Sequence, residues 1–204
     1  MRVSSPYADL LALHRTAVQA SVDVVNTVTT EDLNRETPCA GWTLGDLLAH
    51  MTVQHQGFAA AARGKGDNLS VWDADTVRER VSADPAGTYA AYADDVMTAF
   101  AAATGEFTLP ELGANFPAIA AIGFHFLDYV VHGWDVAASL GRPYSLPDEV
   151  IDTALPVAEM VPDGELRTMA NAPFAPAQNG SATNDFERLL QHLGRIPNWK
   201  PQQS

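Results

Sequence analysis

The chain is poor in cysteine, in basic residues and in long apolar runs, and each shortage closes off a class of protein. A single cysteine, Cys39, among 204 residues rules out an intramolecular disulfide. Lys and Arg number 12 against 25 Asp and Glu, a formal net charge of −13. Nucleic-acid recognition needs clustered basic side chains to neutralise phosphates, and no such patch is present, so no nucleic-acid partner is expected. The acidic excess reads as a solubility device. No uninterrupted apolar run reaches the roughly 20 residues of a transmembrane helix, and the opening MRVSSPYADL lacks the apolar stretch of a signal peptide. A cytoplasmic protein with no membrane partner is the expectation.

What the chain has is apolar content, 47%, and a helical pattern. Leu11, His14, Val18, Ser21, Val25 and Val28 follow a three-four repeat, which predicts a first helix over Tyr7–Val28 with that face inward. Thr43 is placed to cap a second helix that runs to about Arg63, with Asp46 in its first turn. Leu44, Leu47, Leu48, Met51 and Phe58 form its apolar arc, with His50 at the margin beside Asp46 and Gln54. Asp84-Pro85 opens a third helix carrying Tyr89, Tyr92, Val96 and Phe100. Thr104–Pro117, with two prolines and two glycines, reads as a crossing loop. A fourth long helix follows and stops at Gly141-Arg142-Pro143. A shorter helix near Asp148–Met160, a Pro/Gly/Asn-rich span over Pro162–Ser181 and a last helix over Asn184–Leu193 complete the chain. Four long helices and a tail make an all-α four-helix bundle over residues 1–142, with an extension over 143–204 packed on it.

The chemistry concentrates between Phe116 and Leu140. The segment is apolar on nearly every side, yet His125, Asp128, His132 and Asp135 recur at spacings of three, four and three. Residues so spaced lie on one stripe of a helix, about 5–6 Å apart. A helix apolar almost all round is buried, so the stripe faces the inside of the bundle. Titratable groups there must be paired, neutralised or bound to a metal. Asp128 and His132, one turn apart, can hold one cation between them, or can simply share an intrahelical hydrogen bond. Two ligands on one helix do not close a site, and His50 is the best candidate for the third. Two imidazoles and one carboxylate leave coordination positions open, as catalytic sites do, and suit Zn²⁺ first, with Ni²⁺ or Fe²⁺ as alternatives.

Other residues take weaker assignments. His125 is expected to line the pocket or to support a ligand from behind, with a fourth-ligand role as the alternative. Gln54 is placed to position a bound molecule. Asp135 either orients a ligand imidazole or braces a neighbouring loop. Cys39, between Pro38 and Gly41, is expected in a tight packed turn, with a soft-ligand or reactive-thiol role as the alternative. His14 and His55 read as core histidines, His192 as a surface residue, and Trp42 and Trp134 as packing residues with a chance of lining the pocket. No general acid or base stands out.

Three segments in order, Thr37-Pro-Cys-Ala-Gly-Trp42, Leu47-Leu-Ala-His50 and Asp128-Tyr-Val-Val-His132-Gly-Trp-Asp-Val-Ala137, resemble the DinB/YfiT-like superfamily. Within it they are most similar to actinobacterial metal-binding proteins related to the N-terminal domain of mycothiol-dependent maleylpyruvate isomerase. Arg188-Leu-Leu-Gln-His-Leu-Gly-Arg-Ile-Pro197 resembles the closing helix of a single-domain subgroup. The resemblance implies an up-down-down-up bundle with a long crossover between helices two and three. It implies a divalent metal on His50, Asp128 and His132, the set already reached from spacing and burial. It also implies a low-molecular-weight thiol such as mycothiol, and a thiol-dependent transferase or isomerase acting on a small electrophile. The alternative is a non-enzymatic metal-dependent binding or stress-response protein, and a homodimer is left open. Two departures stand out. The carboxylate is Asp128 where the isomerase has Glu, and only about 60 residues follow Leu140, so a catalytic contribution from a second domain is expected to be missing.

Overall fold

The computed structural model describes residues 5–169 and 174–201. Helix α1 (Pro6–Val25) is capped by Ser5, whose side chain accepts from the Ala8 amide, with Pro6 at the first helical position. It ends three residues before the predicted Val28, which is nonetheless buried. Helix α2 (Leu44–Ala62) begins on a reciprocal capping box between Thr43 and Asp46. Asp84 caps α4 (Pro85–Ala101), and α5 (Ala118–Ser139) is the long apolar helix. Helices α1, α2, α4 and α5 form the bundle: α1 packs on α5 and α4, while α2 packs on α4 and α5.

Contacts along the helices fix their directions. Tyr7, at the start of α1, bonds the carbonyl of Phe100 at the end of α4, whereas Ser21, at the far end of α1, meets Tyr89 near the start of α4. His14 meets His125 and His55 meets His125, while His50 lies against His132. Helices α1 and α5 therefore run together and α2 and α4 run opposite to them, the up-down-down-up order that the resemblance implies.

Two elements differ from the sequence expectation. The crossover between α2 and α4 contains a further helix, α3 (Asp75–Ala83). It is polar and buries only Val77 and Val81, too narrow an arc to register as amphipathic. The predicted loop before α5 is a hairpin: β1 (Glu106–Leu109) pairs antiparallel with β2 (Ala114–Pro117), Phe107 facing Phe116. Phe107 and Leu109 alternate inward over four residues, and Gly113 takes the left-handed conformation (φ 66°) at the turn. Four residues are too few to show a period of two against the surrounding prolines.

Helix α6 (Asp148–Glu159) and α7 (Asp185–His192) cover the outer face of α1 and α5, with Val150, Ile151, Leu155, Leu189 and Leu190 against Phe126, Val130 and Trp134. Part of the Pro162–Ser181 span, residues 170–173, lies outside the described residues. Ahead of it, the buried guanidinium of Arg167 donates to the carbonyls of Pro162, Val161 and His192. His192 is thus half-buried, its ring nitrogen 3.1 Å from the Val161 carbonyl, rather than on the surface. No helix among the described residues is long and apolar enough to cross a membrane.

Candidate metal centre

Facing turns of α2 and α5 bring His50, Asp128 and His132 together. One ligand atom of each lies within 4.8 Å of the other two, and His132 Nε2 stands 3.8 Å from Asp128 Oδ1. The rings of His50 and His132 meet edge to face at 5.3 Å. A metal with bonds of about 2.0–2.2 Å holds its ligand atoms roughly 3–4 Å apart. The His132–Asp128 separation already lies in that range and the others fall within about 1 Å of it, so the donor set and spacing fit a divalent ion. His50 and Asp128 are partly buried, the Asp128 side chain 25% exposed, while His132 is buried.

The second nitrogen of His132 is committed. Its Nδ1 lies 2.9 Å from Asp135 Oδ2. Asp135 is wholly buried and is held in turn by Arg195, whose Nη2 donates to Oδ2 at 2.9 Å and Nε to Oδ1 at 3.3 Å. A carboxylate that accepts from Nδ1–H fixes the tautomer with Nε2 as the free donor and aims it at the cluster. Asp135 therefore meets the His132 imidazole and also holds the loop that carries Cys39, contacts of both kinds read from its spacing. Arg195 was not singled out from sequence: its nearest signal is the Arg188–Pro197 segment, where nothing in the local pattern ties it to α5.

Cys39 sits in the tight turn expected of it. Thr37 Oγ1 accepts from the Cys39 amide and donates to the Trp42 carbonyl, and Gly41 adopts φ 82°. The Cys39 thiol donates to Asp135 at 3.4 Å and accepts from Arg195 at 3.4 Å. Cys39, His132 and Asp135 form a second cluster of ligand-type atoms, but Arg195 already supplies the positive charge there. Trp42 packs its ring 5.0 Å from that of His50 and remains 39% exposed.

The electrostatics separate the two imidazoles. Burial, reinforced by the charges of His132 and Arg195, pushes His50 down to about 3, so it is neutral with a lone pair to offer. Burial opposes charge on His132 as well, but the hydrogen bonds to Asp135 and Cys39 and the carboxylate of Asp128 outweigh it and push the ring up to about 10. The site draws a proton to the position where a metal would compete for the same lone pair. Burial raises Asp128 above the ordinary carboxylate value, against the lowering charges of His132 and Arg195.

Gln54, one turn beyond His50, donates to both carboxylate oxygens of Glu111, at 3.2 and 3.3 Å. Glu111 comes from the hairpin turn and was not identified from sequence. Burial of its carboxyl, with the charge of Asp128, raises its pKa.

His125 is not in the pocket. It lies at the bundle centre, wholly buried, between His14 Nε2 at 2.9 Å and His55 Nδ1 at 3.2 Å. Tyr129 stacks on both His55 (4.1 Å) and His125 (4.3 Å). The helical stripe twists: Asp128 and His132 reach the open end toward His50, while His125, a turn earlier, meets the aromatic interior. His14 and His55 are core histidines, as the pattern indicated, and Trp134 is a packing residue of the α5–α6 core.

Residues 14–137 match the family model described as the mycothiol maleylpyruvate isomerase N-terminal domain. Uncharacterized proteins from two strains of Mycobacterium tuberculosis are each 28% identical over 173 residues, 82% of this chain and 86% of theirs. The crystal structure of the mycothiol-dependent maleylpyruvate isomerase superposes with a TM-score of 0.67 at 14% identity, over 95% of this chain and 91% of that one. A histidine-to-alanine mutant of that enzyme superposes with a TM-score of 0.64 over the same shares. The shared fold extends past the bundle into the segment after Leu140. With 124 consecutive positions matched, the chain belongs to the family of the mycothiol maleylpyruvate isomerase N-terminal domain.

Proposed function

We propose that the protein is a divalent-metal enzyme that uses a low-molecular-weight thiol, of the mycothiol type, to transfer or isomerise a small electrophile. The observation that carries this reading is the convergence of His50, Asp128 and His132, with ligand atoms within 4.8 Å of one another and two of the three residues only partly buried. When bound, a zinc, nickel or iron(II) ion supplies Lewis acidity that favours the thiolate of a thiol reaching it. The chain's own residues do the rest. His50 presents a neutral lone pair, Asp128 supplies negative charge, and Asp135 holds His132 with Nε2 toward the cluster. Trp42 covers one flank of His50, and Gln54 keeps Glu111 at the hairpin side.

A structural metal in a non-enzymatic protein would call for a fourth protein ligand. Among the described residues, His125 is engaged with His14 and His55, and Cys39 with Asp135 and Arg195. Neither lies in the His50–Asp128–His132 cluster, which favours the enzyme reading.

Elemental analysis of the purified protein beside its His50→Ala and His132→Ala variants tests the metal. Both variants are expected to keep their helical circular dichroism and lose most bound metal. Full metal content in both would remove the assignment. Adding thiols to the cobalt-substituted protein tests the second half: a sulfur-to-metal charge-transfer band is expected, and its absence with several thiols would leave only the binding-protein alternative.

A further inference from the structure

A groove of about 270 Å³ lies between α1 and α4, lined by Leu11, Ala12, His14 and Arg15 of one helix and Met97 and Ala101 of the other. None of these residues takes part in the metal-centre reading. We propose that the groove is a site for a small carboxylic acid with a short apolar tail, its carboxylate taking a hydrogen bond from His14 and the charge of Arg15.

The row of imidazoles behind the groove is the first argument. His14 is 1% exposed, with Nε2 2.9 Å from His125 Nδ1, and His125 Nε2 lies 3.2 Å from His55 Nδ1. Burial keeps the three rings neutral, so each carries one ring proton. Each of the two contacts needs one proton between its nitrogens, which leaves two arrangements. Either every ring is protonated at Nε2, or every ring is protonated at Nδ1. The first strands an N–H at His55 Nε2, an atom sealed from solvent without a partner. The second leaves only a lone pair there. Buried orphan N–H groups are rarer in folded proteins than under-satisfied acceptors, which selects the second arrangement. The row then ends in an Nδ1–H on His14. That nitrogen has no partner among the described residues and is not among the atoms sealed from solvent.

Arg15 is the second. It is exposed beside His14, close enough for its charge to act on that ring. Among the described residues it forms no ion pair or hydrogen bond, even with Asp94, one turn before Met97 on α4. By contrast Arg35, Arg63, Arg78, Arg188 and Arg195 each pair with a carboxylate. A free guanidinium and an N–H on the groove are both donors. The polar end of an occupant must therefore accept, and the positive charge selects an anion.

The rest of the lining sets the remainder of the occupant. Leu11, Ala12, Met97 and Ala101 offer apolar side chains only. One cation suits a monoanion, whereas a phosphate dianion would meet Arg15 alone in a chain of net charge −13. The volume falls just under the roughly 300–1,000 Å³ of drug-sized sites, which keeps the tail short.

Heteronuclear NMR of the full chain, metal-free so that no bound ion can hold a carboxylate, tests the site with hexanoate, hexanol and hexylamine. Saturable shifts of the Leu11, Ala12 and Ala101 amides are expected with hexanoate, weaker ones with hexanol and none with hexylamine. Arg15→Gln should weaken hexanoate about tenfold, as loss of one charge-assisted hydrogen bond does. Ala101→Phe, which fills the groove, should abolish the shifts. Long-range ring correlations in the free protein should place the His14 proton on Nδ1. An equal response to the acid and to either control removes the carboxylate assignment. No saturable shift with any of the three, or hexanoate binding undiminished in both variants, removes the site. A proton on His14 Nε2 overturns the donor role argued from the row.

Discussion

Acidification from pH 6.5 to 5 should strip this protein of several kcal/mol of stability through imidazoles buried as neutral rings. Burial, with a small contribution from the charge of Arg15, pushes His14 down to about 3. Burial lowers His55 and His125 as well, with further lowering by the charge of His14 on both and of His55 on His125. Unfolding returns each ring to a value near 6.5, so below that pH the unfolded chain binds protons that the folded one excludes. The stabilisation is complete above pH 6.5 and is lost as pH falls toward the folded values. For His14 alone the loss is about 2 kcal/mol at pH 5, one and a half units at roughly 1.4 kcal/mol each. His50, also pushed down to about 3, adds a similar amount in the metal-free protein. His132 acts in the opposite sense, but its window lies between 6.5 and about 10 and leaves the acid side flat. Together these losses approach the whole stability of a domain, about 5–15 kcal/mol.

Urea denaturation of the metal-free protein at half-unit steps between about pH 5 and 7 measures the effect, since each excluded proton adds about 1.4 kcal/mol per pH unit to the slope. Replacing His14, His55 and His125 together by Leu removes the three central rings at similar volume, and apolar exchange of a buried polar set is often tolerated. The remaining slope should fall to about one proton, that of His50. A parent whose stability changes by less than about 1 kcal/mol across this range would show that the rings are not held neutral, and the reasoning would fail.

Three other outcomes follow from the geometry. Asp135→Asn and Arg195→Met should each weaken zinc about 10–100-fold in competition with a chromophoric chelator, because each frees the His132 ring; unchanged affinity in both folded variants would deny Asp135 its orienting role. Gly57→Ala should destabilise by about 1–3 kcal/mol in urea, because an added Cβ would fall within the Trp72 ring that lies on α2; a neutral result would mean Trp72 swings away freely. Glu111→Gln should leave bound zinc unchanged by elemental analysis, since its carboxyl engages Gln54; loss of metal would place Glu111 among the ligands.

The bundle was legible because its signals are local. The Thr43 cap with Asp46, the Asp84-Pro85 start and the three-four repeat of α1 each act within a turn or two. Asp128 and His132 were legible for the same reason, and His50 because it lies at the margin of an apolar arc. What could not be read depends on distant partners. Arg195 meets Asp135 across 60 positions, and Glu111 meets Gln54 across 57. His125 shares the spacing of the ligands, and periodicity alone cannot tell the end of a stripe that opens beside His50 from the end that meets Phe58, Phe100 and Tyr129.

That twist explains how one bundle keeps five interacting histidines in two conditions. His125 touches both His14 and His55, all three meet aromatic rings, and no carboxylate hydrogen-bonds to any of them; desolvation then governs and all three are neutral. His132 is as deeply buried by its neighbours, yet Asp135 and Asp128 flank it and reverse the sign of its shift. A carboxylate beside a buried imidazole creates a demand for positive charge that a proton or a metal ion can meet. Burying that carboxylate needs its own compensation, and Arg195 provides it from the far side without reaching Nε2. The last segment of the chain thus neutralises Asp135 from the far side and leaves Asp128 beside His132, where a proton on the ring, or the metal ion of the proposed function, meets its charge.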